Sequence, residues 1–159
     1  MRQLEIAAFV PDRGVKEAYD ILRDFKRYPE YSPEVRSVVI ETSNGESYST
    51  WETTFRGGLL RWKERDTFDP ETNTLGFVQT EGDIDHFSGW WKVAGENGGS
   101  HVRFWAQFDM GIPSLSEIID PIAEQALREN IIAILRGLFG SQVAILPEAG
   151  RESAVSSVR

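Results

Sequence analysis

LLRWKERDTF, residues 59–68, changes side-chain character at every step. Neighbours on a strand point to opposite sides of a sheet, so Leu60, Trp62, Glu64, Asp66 and Phe68 share one face, and Arg61, Lys63, Arg65 and Thr67 share the other. The second set has the composition of a solvated face, which turns the first set inward. Two carboxylates therefore lie on the same side as Trp62 and Phe68. Burying an ionised carboxylate costs several kcal/mol unless it is paired or hydrogen-bonded. Two readings are open for Glu64 and Asp66. Either they reach solvent near a strand end or pair with Arg65 or Arg103 across the sheet, or they form a proton-transferring pair inside a pocket.

Outward from this stretch the alternation continues. Gly57-Gly58 turns the chain back onto a strand from Ser47 to Arg56, on which Trp51, Thr53 and Phe55 share a face. Asn44-Gly45 is a hairpin signal joining it to a β-branched run, Val35 to Thr42. Downstream, Asp69-Pro70-Glu71-Thr72-Asn73 makes a turn, and Leu75 to Thr80, Phe87 to Val93 and His101 to Met110 read as strands. Alternation puts Phe77 with Gln79, Phe87 with Gly89 and Trp91, and Phe104 with Ala106 and Phe108. With residues 3–10 as a first strand, the sheet has about seven strands.

Helices flank this meander. Asp12 is placed to cap a helix from Val15 to Phe25 whose Val15, Ala18, Tyr19 and Leu22 form one stripe. Proline breaks Tyr28-Pro29-Glu30-Tyr31-Ser32-Pro33 into a short helical turn, and Tyr28 and Tyr31 are expected at the mouth of a pocket. Ser114-x-x-Glu117 has capping-box spacing, Pro121 is expected to kink or restart the helix with Asp120 as a second cap, and Ala123, Leu127, Ile131, Ile134 and Leu138 form a stripe that ends at Gly140. Asn130 lies on the edge of that stripe, with its amide toward the interior. Residues 147–159 are small, polar and without periodicity and are expected to be disordered, leaving a single domain over 1–146. An antiparallel sheet wrapped around one amphipathic helix makes a cavity rather than a solid core. The inward aromatics Trp51, Phe55, Trp62, Phe77, Phe87, Trp91 and Phe104, with Ile131 and Ile134 of the helix, are then its lining.

Composition narrows the function. Seventeen Lys and Arg against 25 Asp and Glu leave a net charge of −8, which argues against a nucleic-acid partner. The chain has no cysteine, and its only histidines, His86 and His101, stand at no metal-ligand spacing, so no metal or cofactor is expected. No apolar run approaches the roughly 20 residues of a membrane span, and the start lacks a secretion signal. A cytoplasmic protein, monomer or homodimer, is the expectation.

The order strand, helix, short helix, run of strands and long final helix resembles the helix-grip α+β fold of the START-like superfamily, also called SRPBCC. Tyr28-Pro29-Glu30-Tyr31 with Pro33-Glu34-Val35, then Phe77-x-Gln79-x-Glu81-Gly82-Asp83 and Phe87-x-Gly89-x-Trp91-x-Val93, resemble its polyketide cyclase and coenzyme-Q-binding branch over about residues 1–142. The resemblance implies cavity residues at Trp62, Glu64, Asp66, Gln79, Phe104 and Asn130. Two positions depart from it. Asp66 stands where the family places an arginine, and Val35 stands where it places a tyrosine.

The leading expectation is therefore a polyketide cyclase or aromatase. Its cavity would bend a poly-β-ketone for aldol closure and dehydration, with catalytic Glu64, Asp66, Gln79 and Asn130; the acidic surface disfavours docking of an acidic acyl carrier protein unless Arg56, Arg61, Lys63 and Arg65 form a local basic patch. The alternative is a non-catalytic carrier of an isoprenoid quinone or lipid that uses the same aromatics.

Overall fold

A computed structural model describes residues 1–147; the expected disordered tail lies, apart from Pro147, outside the described residues. The chain runs β1 (Arg2–Pro11), α1 (Val15–Arg23), a 3-10 turn (Phe25–Arg27), α2 (Tyr28–Tyr31), β2 (Val35–Ser43), β3 (Glu46–Phe55), β4 (Gly58–Asp69), β5 (Thr74–Gly82), β6 (His86–Glu96), β7 (Gly99–Asp109), a second 3-10 turn (Pro113–Leu115), α3 (Ser116–Phe139) and β8 (Ala144–Ile145). All strands form one antiparallel sheet in the order β2-β3-β4-β5-β6-β7-β1-β8, and its concave face holds α3. This is the helix-grip arrangement.

The sheet has eight strands rather than about seven. The extra strand is a two-residue pairing of Ala8 with Ile145 and Phe9 with Ala144, too short to leave a period in the sequence. It returns the chain to β1 after α3.

Alternation sets the faces as expected. Along β4, Trp62, Glu64 and Asp66 are buried while Arg61 and Arg65 are exposed. Ten consecutive pairs join β1 to β7, from Arg2 with Phe108 to Pro11 with Gly99, so Leu4, Ile6, Ala8 and Val10 face inward beside Val102, Phe104, Ala106 and Phe108. At Gly89 of β6 a Cβ would run into the Trp105 carbonyl and lie 2.8 Å from Phe77 Cζ. Glycine there lets the Phe77 ring lie flat across the sheet.

The helix caps differ from expectation. Asp12 does not cap α1. It turns at φ 64°, its N–H is given to the Gly98 carbonyl at 2.8 Å, and Gly14 takes the N-cap position. Ser114 lies inside the 3-10 turn, so its capping box does not form, and the chain enters α3 through Leu115. Pro121 does not restart the helix, which stays continuous for 24 residues. It falls in the second turn, where the only hydrogen bond it removes is one to the Glu117 carbonyl near the helix start. Ile131, Ile134, Leu135, Leu138 and Phe139 of α3 are buried. The earlier half of its stripe, Ala123 and Leu127, is only partly covered and borders an open space.

Candidate functional site

Between the sheet and the first half of α3 lies a cavity of about 470 Å³, within the size range of small-molecule sites. Its mouth is framed by Ser32, Pro33 and Glu34 after α2, by Phe55 and Arg56 at the β3–β4 hairpin, and by Ala126 and Glu129 of α3. Deeper in lies a smaller chamber of about 60 Å³, room for a few water molecules or the tip of a ligand. Thr53, Trp62, Phe87, Leu127 and Asn130 line both spaces and form the neck between them.

The neck is aromatic and ordered by contacts. Trp62 stacks on Trp51 with centroids 5.9 Å apart and planes within 1°, and meets Phe87 edge-on at 5.5 Å. These two tryptophans face each other because Trp51 and Trp62 are register partners on β3 and β4. Phe77, Trp91 and Phe104 complete the sheet side of the inner chamber, and Ile131 and Ile134 the helix side. Phe55 lines only the outer cavity.

The carboxyl pair is the chemical centre. Glu64 and Asp66 are each 4% exposed. Neither reaches solvent nor pairs with Arg65 or Arg103, because both arginines lie on the opposite face, where Arg103 sits 3.7 Å from Glu5. Glu64 lines the inner chamber and Asp66 lies behind it, lining neither space. Trp62 Nε1 donates to Glu64 Oε1 at 2.8 Å, and Ser49 Oγ donates to Asp66 Oδ2 at 2.6 Å while accepting from Trp51 Nε1 at 2.8 Å. Burial raises the Glu64 carboxyl well above the ordinary carboxylate range, and the neighbouring Asp66 pushes it further. Asp66 is also raised by burial, against hydrogen bonds with Glu64 and Ser49 that favour its ionised form. Two neighbouring carboxyls in a water-poor site disfavour each other's ionisation. Burial and this mutual effect both favour a proton on the pair.

Other expected residues fall elsewhere. Gln79 lines neither space. It sits opposite Glu64 in the ladder, but its Nε2 donates to the Ile84 carbonyl at 2.5 Å and so braces the β5–β6 loop that carries Ile84 into the cavity wall. Tyr28 is no gate. It is 2% exposed, its hydroxyl donates to the Leu22 carbonyl at 2.6 Å, and its ring forms part of the inner chamber against Phe25 and Trp51. Tyr31 lines neither space and packs on α3 at Gly137, where any Cβ would collide with it. Asn130 does reach both spaces, and its Oδ1 accepts from Ser32 Oγ. Two of the four cations of the basic patch are ion-paired, Arg61 with Glu52 at 2.6 Å and Lys63 with Glu41 at 2.9 Å.

Ser49 and Ser32 are site residues that the sequence reading passed over. Ser49 shares the alternation of Trp51, Thr53 and Phe55, so its inward face was readable; Ser32 sits in a proline-broken segment with no period to place it.

The profile of the family described as polyketide cyclase / dehydrase and lipid transport matches residues 12–135. The chain belongs to this family. No curated protein is a significant match to it. Among solved structures the family fold is shared with TTHA0849 of Thermus thermophilus, at TM-score 0.78 and 23% identity over 86% of this chain and 94% of that one. The Zhui aromatase/cyclase of a Streptomyces species matches at TM-score 0.74 and 17% identity over 99% and 96%. A START superfamily protein of Mycobacterium smegmatis matches at TM-score 0.73 and 15% identity over 86% and 96%. Family membership supports a cyclase-like or ligand-binding role. Among the described residues, no helix is long and apolar enough to cross a membrane.

Proposed function

We propose that the protein is a polyketide cyclase that closes and dehydrates a ring in a poly-β-ketone held in the larger cavity, with Glu64 as the group that moves the protons. The observation that carries this reading is a buried carboxyl pair, favouring a bound proton, of which one member faces the inner end of an aromatic cavity. Asp66 is placed behind Glu64 and acts through it. Gln79 serves the wall and takes no part.

In the first step an enol carbon attacks a carbonyl carbon, and a carbon–carbon bond forms. The new alkoxide takes the proton of Glu64, while the enol hydroxyl gives its own to the pair. In the second step the hydroxyl leaves as water with a proton from Glu64, and the adjacent carbon–hydrogen bond breaks to return one. Each step gives one proton and takes one, so the pair ends as it began. A neutral acid in a water-poor site is a strong donor to a developing oxyanion, which supplies the electrophilic role of the arginine that Asp66 replaces. Because Asn130 Oδ1 is engaged by Ser32, that side chain offers its NH2 group to the ligand. Confinement of a flexible chain in this space contributes several kcal/mol to ring closure.

Glu64→Gln keeps the shape and the bond to Trp62 but cannot release a proton. It is expected to cut cyclisation of a synthetic poly-β-ketone thioester by about 100-fold or more, with affinity for the cyclised product near normal. An unchanged rate and product profile would remove the carboxyl from the chemistry. The mostly apolar lining also fits a carrier of a quinone or lipid. Native mass spectrometry of the purified protein separates the two, because a stoichiometric quinone or lipid, with no cyclisation, is the carrier outcome.

A further inference from the structure

A proton on the pair has two possible seats, and only a proton on Glu64 faces the ligand. Hydrogen-bond direction decides between them. Indole N–H is a donor only, so the 2.8 Å contact from Trp51 Nε1 makes Ser49 Oγ an acceptor there. The one hydrogen of the Ser49 hydroxyl is then left for its 2.6 Å contact with Asp66 Oδ2. Asp66 is thereby an acceptor at Oδ2, the arrangement that favours the ionised form. Its other oxygen, Oδ1, is buried with no donor among the described residues, although it lies beside the carboxyl of Glu64. On Glu64, Trp62 Nε1 fills Oε1. The hydrogen that completes the set therefore belongs on Glu64 Oε2.

We infer that Ser49, oriented by Trp51, is a positioning residue that keeps Asp66 an acceptor and so seats the shared hydrogen on Glu64, where the inner chamber can use it. The inference rests on the cyclase reading only for what the hydrogen is used for. Among the described residues, the groups facing the pair from the surrounding elements contain no cation. They are Tyr28 of α2, Ser49 and Trp51 of β3, Trp62 of β4, Gln79 of β5 and Asn130 of α3, with the Asp24 carboxylate acting on the same region through Tyr28. Ser49 also favours the ionised form of Glu64, but as the weakest influence on it, whereas its 2.6 Å bond goes to Asp66 Oδ2; the hydroxyl therefore favours the Asp66 anion over that of Glu64. The class of ligand atom that fits is a neutral acceptor, a ketone or quinone oxygen; an anionic end would meet the Asp66 carboxylate behind Glu64.

The test is a pH titration of the side-chain carboxyl carbons by 13C NMR in uniformly labelled protein, assigned with Glu64→Gln and Asp66→Asn. Wild type is expected to show Asp66 titrating at lower pH than Glu64. Ser49→Ala should raise the Asp66 midpoint by about one pH unit, and by more than it moves that of Glu64. Trp51→Phe, which frees the hydroxyl to turn away, should act in the same way by less, and Ser49→Thr should restore the wild-type order. A structural role in packing would move none of these midpoints selectively. Unchanged midpoints in Ser49→Ala, or a wild-type protein in which Asp66 holds the proton, would overturn the inference. No substrate enters the measurement, so titration as expected in a protein without cyclase activity would uphold the seat of the proton and count against the catalytic reading alone.

Discussion

The two faces of β4 carry opposite charge and opposite consequences. On the convex side, Arg61 and Lys63 meet Glu52 and Glu41 in exposed ion pairs, and Trp90 of β6 lies under Lys92 at 4.2 Å and Arg103 at 5.2 Å. On the concave side, one residue away in sequence, Glu64 and Asp66 lie among tryptophans with no cation near them. A strand separates adjacent side chains by the thickness of the sheet, so abundant positive charge in LLRWKERDTF neutralises nothing inside. Burial and mutual proximity favour a proton on the inner pair, where no arginine stands. The outer face balances its charge with exposed ion pairs instead.

This contrast can be broken from either side. The largest effect is expected at the neck, where Trp62→Ala removes a ring in contact with Trp51 and Phe87 and leaves the Glu64 oxygen without its donor. A loss of about 3–5 kcal/mol in urea unfolding is expected, and Trp90→Ala on the convex face should cost clearly less.

The next effect is in the pH dependence of stability. Glu64 binds its proton more tightly folded than unfolded. Its contribution is therefore fully present below the unfolded carboxylate value and is lost as pH rises through the raised folded value. Thermal unfolding of wild type should weaken as pH rises from the ordinary carboxylate range through the raised value, whereas Glu64→Gln, which mimics the protonated form, should hold its midpoint over that range. Equal slopes there would mean that the pair is not a proton store. The smallest effect belongs to Arg61→Ala, whose exposed ion pair is worth too little to move the urea midpoint beyond scatter. A large loss there would contradict the account of the convex face as a solvated surface.

Reading by alternation found the inward residues of β3 to β7 because a strand has one period and the sheet has two distinct faces. It gave side and not depth. Asp66 and Gln79 are on the correct face yet outside the cavity, Asp66 because Glu64 screens it and Gln79 because it lies just past the last β5–β6 pair, at Val78, where its amide reaches the Ile84 carbonyl. A register shift between Lys63 and Glu64 on β4 adds to this, since bulges re-aim side chains and leave no mark in composition. Tyr28 was misplaced for another reason. In a four-residue helix no stripe exists to show which side is buried, and proline in the segment suggested a loop at the mouth.

The long helix grips its surroundings unevenly, and this divides the mouth into a fixed jaw and a loose one. Tyr31 seated on Gly137, Ser32 tied to Asn130, and Glu34 held by Thr54 fasten the α2–β2 side to the helix and to the neighbouring strand. Beyond the cavity lining, the approach to α3 carries Ile112, Leu115 and Ile118, all exposed, and runs into the turn where Pro121 has no N–H to give. The entrance is therefore expected to widen at the N-terminal turns of α3 rather than on the α2–β2 side. A ligand too broad for the resting mouth would read the stiffness of those turns rather than the strength of the sheet.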